Sequence, residues 1–228
     1  MITIQHEKVL NYINANDNLK KIFTYYLNNC ITLNNPYHNA NHTLAMMYHI
    51  CNIYEISQQE DYQFHLDSQS LYILLVSAIF HDYNHSAGLF TDNVNVTNSI
   101  NNMKQCLNTL FPNDNETVNK LIEIISDNIW ATCYPYIIED KDLNLYQRVL
   151  RECDIIVCFS NDFLTQVLLG LKRELNISDW KTLLAKETKF LLESFKDLKL
   201  DYSKEVVDNN YESLFSMIDL LLKIMDIN

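Results

Sequence analysis

Apolar residues recur along almost the whole chain at the three- and four-residue spacing that gathers them on one side of a helix. Val9, Tyr12 and Ile13 mark a short first helix; Leu19, Ile22, Phe23, Tyr26 and Leu27 mark a second, with Asp17 or Asn18 as its cap. Pro36 stops that element and pushes Asn35 toward extended geometry. A third helix is predicted from about Asn39 to Ser57. Asp67 and Ser68 cap a fourth, which carries the apolar run Leu71–Phe80 into HDYNH (81–85). Gly88 falls just past that sequence, where a left-handed C-terminal cap is a natural use for glycine. Further helices are predicted over about 94–111, 115–130, 142–159, 161–175, 179–196 and 205–226, with Asp114, Asp142 and Ser178 as starting signals. In the last of them Tyr211, Leu214, Phe215, Ile218, Leu221, Leu222 and Met225 form one stripe, expected to pack against the rest of the protein.

Composition sharpens this picture. Gly occurs only twice and Pro three times in 228 residues, far below their usual ~7% and ~5%. Sheet proteins need such residues in their turns, so an all-α chain of about 8–10 helices with short connections is expected. With no repeat, low-complexity block or long linker, residues 1–228 read as one domain. The apolar run 71–80 is about half the ~20 residues a membrane span needs, and reads as a buried core helix. The amino terminus lacks a basic segment followed by an apolar one, and the six Cys form no CxxC pair, which together favour a reducing cytosol. A net charge of -12 with no basic stripe argues against a nucleic-acid polymer or an anionic membrane as partner. A small phosphate-bearing substrate stays open, because a metal ion can neutralise it locally.

Four of the seven His lie in two short sequences, PYHNANH with His38 and His42, and HDYNH with His81, Asp82 and His85. On a helix, side chains at i and i+4 share a face, so each pair is expected to point one way. Imidazole nitrogens with a carboxylate suit borderline divalent ions such as Zn, Fe, Mn, Ni or Co. A lone His on an apolar face is more often a hydrogen-bonded core residue, and His6, His49 and His65 are read that way. Two HxxxH pairs with an adjacent Asp are harder to explain by packing. In RVLRECDIIVCFS (148–160), Asp154 interrupts an apolar face; it reads as a further ligand or as the partner of Arg151 one turn earlier. Arg148 and Lys172 need no role beyond a solvated helix face.

These motifs resemble the HD superfamily of metal-dependent phosphohydrolases. YHNANH (37–42) with HDYNHSAG (81–88) is similar in particular to a reduced class I cyclic nucleotide phosphodiesterase core. The resemblance is detailed over residues 37–88. It implies that His42, His81, Asp82 and Asp154 hold a tightly bound divalent ion (Mn, Mg, Zn, Fe, Ni or Co). It also implies that Asp82 bridges to a second, mostly hydrated ion, that His38 is the general acid for the leaving oxygen, and that His85 lies near the second ion and the phosphate. The chain departs from the pattern at Asn84, where Asp is usual, and after Gly88; no glutamine aligns with the one that reads the purine, since Gln166 follows Asp154 too closely. WATCYPY (130–136) resembles a cavity-lining segment of small bacterial HD proteins, and reads equally as a helix end broken by Pro135.

The expected activity is therefore hydrolysis of a phosphodiester or phosphomonoester in a small nucleotide-like substrate, with metal-activated water as nucleophile. His38, His85 and Asp82 are the catalytic candidates. The alternative is a non-catalytic HD module that binds metal or nucleotide as sensor or scaffold. A di-iron oxygenase would need further His ligands, which the sequence does not offer.

Overall fold

The computed structural model describes residues 4–160 and 163–227, with the side chains of Ile4, Asn115 and residues 225–227 excepted. The expected Met225 contribution to the last apolar stripe, and the start of the helix expected from residue 161, thus lie outside the described part. Its elements are α1 (Ile4–Asn14), α2 (Asp17–Asn29), α3 (Ala40–Ile56), α4 (Ser68–Phe80), α5 (Asp92–Leu110), α6 (Asn115–Trp130), α7 (Leu145–Val157), α8 (Leu169–Glu174), α9 (Trp180–Asp197) and α10 (Asp201–Ile227). A 3₁₀ turn at Asp140–Asp142 precedes α7, and a π-helical turn at Phe163–Leu168 leads into α8. No strand occurs among the described residues. None of their helices is long and apolar enough to cross a membrane.

The apolar run became the centre of the molecule. Every α4 residue from Ser70 to Phe80 except Tyr72 is buried, and the helix packs against α2, α3, α5, α6 and α7. A helix apolar on all sides has no solvent face to present, so it can only be enclosed. A second apolar cluster lies beyond it, built from the end of α7, the π turn, α8, α9 and α10, with Phe159, Phe163, Leu183 and Val207 fully buried. Two polar devices tie α7 to the segments around it. Glu152 of α7, buried, accepts the N–H groups of Lys199 (2.8 Å) and Leu200 (3.1 Å) and so satisfies donors at the start of α10. Arg151 donates to the carbonyls of Ala131 (2.7 Å) and Ile138 (3.0 Å) and lies 4.1 Å from the centre of the Tyr136 ring. All six Cys are free and buried.

Several starting signals differ from those expected, for local reasons. Asn16, not Asp17 or Asn18, caps α2; its side chain accepts from the amides of Asn18 and Leu19, which moves Asp17 into the first turn. Asn144 opens α7 through a reciprocal capping box with Gln147, which confines Asp142 to the preceding 3₁₀ turn. Asp179, not Ser178, caps α9. Asn39 and Asp67 cap α3 and α4 as read.

The largest correction concerns the motifs. Helix α4 ends at Phe80, and residues 81–84 form turns closed by Tyr83 N–H to Phe80 O (3.2 Å) and His85 N–H to Asp82 O (3.1 Å). His38 lies ahead of the α3 cap. Neither HxxxH pair therefore rides one helical face. Asn84 and Gly88 adopt positive φ (59° and 85°), a region that Asn and Gly tolerate best. Gly88 thus has the expected left-handed backbone, in a turn well beyond the helix end. Asn84 also accepts the Ile31 N–H at 2.8 Å, which gives this departure from the motif a structural use.

Candidate metal centre

The two motifs meet across the molecule instead of along it. His42 Nε2, from the first turn of α3, lies 3.1 Å from His81 Nε2, at the end of α4. Asp82 Oδ2 is 2.8 Å from His81 Nε2 and 3.4 Å from His42 Nε2. Asp154 of α7 brings Oδ1 to 3.0 Å from His42 Nε2 and 3.9 Å from His81 Nε2. The alternative partnership of Asp154 with Arg151 is not formed; the guanidinium turns to the carbonyls and ring described above.

These distances fit a common cation. Ligand atoms about 2.1 Å from one ion stand about 3.0 Å apart at right angles and about 4.2 Å apart when opposite. Four of the five separations match adjacent positions, and His81 to Asp154 approaches the opposite one. The donor chemistry agrees. His81 donates Nδ1–H to the Ala78 carbonyl at 2.8 Å, which fixes the ring with Nε2 toward the two carboxylates. Two imidazoles and two carboxylates converging in a mostly buried place call for positive charge. The protein alone supplies it with protons: burial pulls the His42 imidazole down, yet its hydrogen bonds with Asp154 and Asp82 outweigh that and raise it to about 10. Burial pushes the Asp82 carboxyl up, while His81 and His38 draw it well below the ordinary carboxylate range. His42 Nδ1 is buried without a hydrogen-bond partner among the described residues, so the ring's polar contacts run through Nε2.

Asp82 belongs to two candidate groups, His42–His81–Asp82 and His38–Asp82–His85, and each can hold a metal ion. In the second, the His38 and His85 rings stack with centroids 3.7 Å apart and planes at 30°. Asn95 donates Nδ2–H to His85 Nε2 at 3.0 Å, its own Oδ1 being taken by the Ser86 N–H at 3.1 Å. Asp92 Oδ1 stands 3.7 Å from the same nitrogen, and its Oδ2 accepts the Tyr134 N–H at 2.6 Å.

Sequence reasoning missed the residue that orients His38. Glu174, at the end of α8 and buried, accepts the backbone N–H groups of Tyr37 and His38, both at 2.9 Å, and the His38 Nδ1–H at 2.7 Å. Burial opposes its ionisation, but the His38 hydrogen bond and charge win, and its carboxyl falls below the usual range. His38 Nε2 is left without a hydrogen-bond partner among the described residues. Next to Lys172 and Arg173, Glu174 looks like part of a solvated face. The signal that was present is Gly170, inside the same short helix. A Cβ there would stand 2.7 Å from Pro36 O and 3.0 Å from Tyr37 Cβ, so only glycine lets α8 come close enough for Glu174 to reach residues 37 and 38.

The ion group opens onto a cavity of about 520 Å³ whose walls include His38, Asp82, Asp154, Tyr134, Glu187 and Phe190. Thr132, Tyr134 and Tyr136 bring the WATCYPY segment to that cavity. Arg148 instead pairs with Asp140 at 2.8 Å, Lys172 covers the Trp180 ring, and Gln166 is exposed; none lines the cavity. His49 is hydrogen-bonded to Tyr202 Oη at 2.9 Å and His65 to the Ser57 carbonyl at 3.1 Å, as core and loop residues. The arrangement is an all-helical one with a His/Asp group able to hold a metal, compatible with an HD-like fold. The chain matches no protein-family model, no characterised protein and no solved structure.

Proposed function

We propose that this chain is an HD-type, metal-dependent phosphohydrolase acting on a phosphate ester of a small nucleotide-like molecule. The observation that carries the reading is Asp82 shared between two groups that could each hold an ion, one of which includes a His38 backed by buried Glu174 with its Nε2 uncommitted. His42, His81, Asp82 and Asp154 would hold the tighter ion, and Asp82 would reach toward a second one. Divalent ions bound there supply neutralisation of the phosphoryl oxygens and a lowered water pKa. The protein's own groups do the rest. Glu174 holds His38 with Nδ1 protonated and Nε2 toward the cleft, the orientation needed to give a proton to a departing ester oxygen. His85, steadied by Asn95, supports the flat face of that ring.

Hydrolysis of bis(4-nitrophenyl) phosphate and 4-nitrophenyl phosphate by protein loaded with Mn, and separately with Mg, Zn, Fe, Ni and Co, tests the reading and separates diesterase from monoesterase. Turnover of either ester that is lost in Asp82→Ala supports it. Full metal occupancy with no turnover for any of the six ions would overturn it, and would favour a binding module.

A further inference from the structure

Glu187 of α9 is buried at 8% exposure and lines the cavity. Its carboxyl accepts no hydrogen bond from any described residue. Exposed Lys186 is its neighbour in sequence, and it makes no ion pair with that lysine. Burial pushes this carboxyl above its ordinary range, with only partial relief from the Lys186 charge. With no donor from the described residues engaging them, the carboxyl oxygens stay open to the cavity as acceptors. A ligand that brings donors into the cavity would find them free. The same cavity carries an aromatic wall: Tyr134 stands edge-on to Phe190 (5.5 Å, 88°) and to Tyr136 (5.4 Å, 88°). Phe190 lies one turn after Glu187 on α9, so the carboxyl and a ring face share one side of that helix. Arg151, held by the Ala131 and Ile138 carbonyls, stands against the Tyr136 ring of that wall.

A carboxylate offers acceptors only, and two oxygens side by side suit two parallel N–H donors. A flat ring with such donors on one edge would stack on the aromatic wall while its edge meets Glu187. We infer that Glu187 and this wall form a base-binding subsite that selects a guanine-type edge, with adjacent ring N–H and amino donors, over an adenine-type edge. The inference rests on the phosphohydrolase reading for why a nucleotide would enter the cleft, but its test does not need turnover.

The full chain, stripped of metal with chelator, is titrated calorimetrically with guanosine, inosine and adenosine 5′-monophosphates. Guanosine monophosphate should bind best. Inosine monophosphate, which lacks the amino donor, and adenosine monophosphate, which lacks the ring N–H, should bind about tenfold or more weakly. Glu187→Gln presents one donor and one acceptor, so the guanine preference should fall to parity or invert. The variant should melt no lower than the parent, since it breaks no hydrogen bond. Equal affinity for the three nucleotides, binding of none, or a preference that survives Glu187→Gln would overturn the subsite. The wild-type comparison alone decides if the variant does not fold. Guanine-selective binding by a protein without phosphohydrolase activity would remove the proposed reaction and leave this inference standing. Hydrolysis without base preference would do the reverse.

Discussion

Replacing Gly170 by Ala sets two opposing effects against each other, and their magnitudes decide the sign. In an exposed helix interior the change adds helix propensity and restricts the unfolded chain, for a gain of about 0.4–1 kcal/mol. Gly170 is buried, however, and the new methyl would meet Pro36 O at 2.7 Å and Pro36 C at 3.1 Å. Both are backbone atoms, so no flexible side chain can yield. Overpacking of this kind typically costs about 1–3 kcal/mol. Pushing α8 outward also stretches the 2.9 Å and 2.7 Å hydrogen bonds from residues 37 and 38 to Glu174, and bonds to a charged group contribute about 1.5–3 kcal/mol each. The net expectation is a loss of about 1–3 kcal/mol. For a chain of this length that lowers Tm by roughly 2–4 °C per kcal/mol. Urea denaturation followed by far-ultraviolet circular dichroism measures it directly, because an unchanged m-value with a lower midpoint isolates stability. A Gly170→Ala protein as stable as the parent, or more so, would refute the close approach of α8 to residues 36–37, and with it the docking of Glu174 on His38.

Four further outcomes are expected. Asp82→Ala should lose metal in elemental analysis after dialysis, with affinity down by at least about 100-fold because it removes a ligand rather than a supporting group; full retention would exclude Asp82 from the ion group. His38→Ala should keep the tightly bound ion and lose about 10²–10⁴ in turnover, and loss of that ion would move His38 into its ligand set. Glu174→Gln can still accept the two backbone N–H groups but not the His38 proton, so turnover should fall by about 10²-fold or more with metal content unchanged; unaltered turnover would remove Glu174 as the orienting group. His49 gives a pH dependence: burial lowers its imidazole to about 4, so between about 6.5 and 4 the unfolded chain binds a proton that the folded one refuses. Its contribution is therefore fully present above about pH 6.5 and is lost as pH falls toward 4, by up to about 3 kcal/mol, less in practice because part of the ring meets solvent. His49→Gln should flatten that acid slope in urea titrations at pH 7, 5.5 and 4.5, and an unchanged slope would contradict it.

What the sequence made readable was whatever depends on neighbours along the chain. Periodicity located the helices because an amphipathic stripe is a local property, and the run 71–80 announced a central helix because such a segment has only one place to go. Caps were readable to within a residue or two: Asp17, Asn18 and Asn16 offer equivalent oxygens at the start of α2, and only the backbone path chooses Asn16. The site was readable as a set of residues and not as a geometry. His38 and His42 suggested a pair on one helix, yet α3 begins after His38, and each ring pairs with a residue of the other motif, His42 with His81 and His38 with His85. Residues whose role is set only by distant contacts stayed hidden. Glu174 meets His38 across 136 positions of sequence, and no local pattern distinguishes it from the charged residues beside it. The one trace such a contact left is the glycine that makes room for it. Both glycines of the chain lie against this junction, Gly170 beneath residues 36–37 and Gly88 against Glu174 and Leu175. In a chain this poor in glycine, a glycine inside a helix or a turn therefore marks where two segments must approach closely. Here both marks point at the junction that sets the orientation of His38.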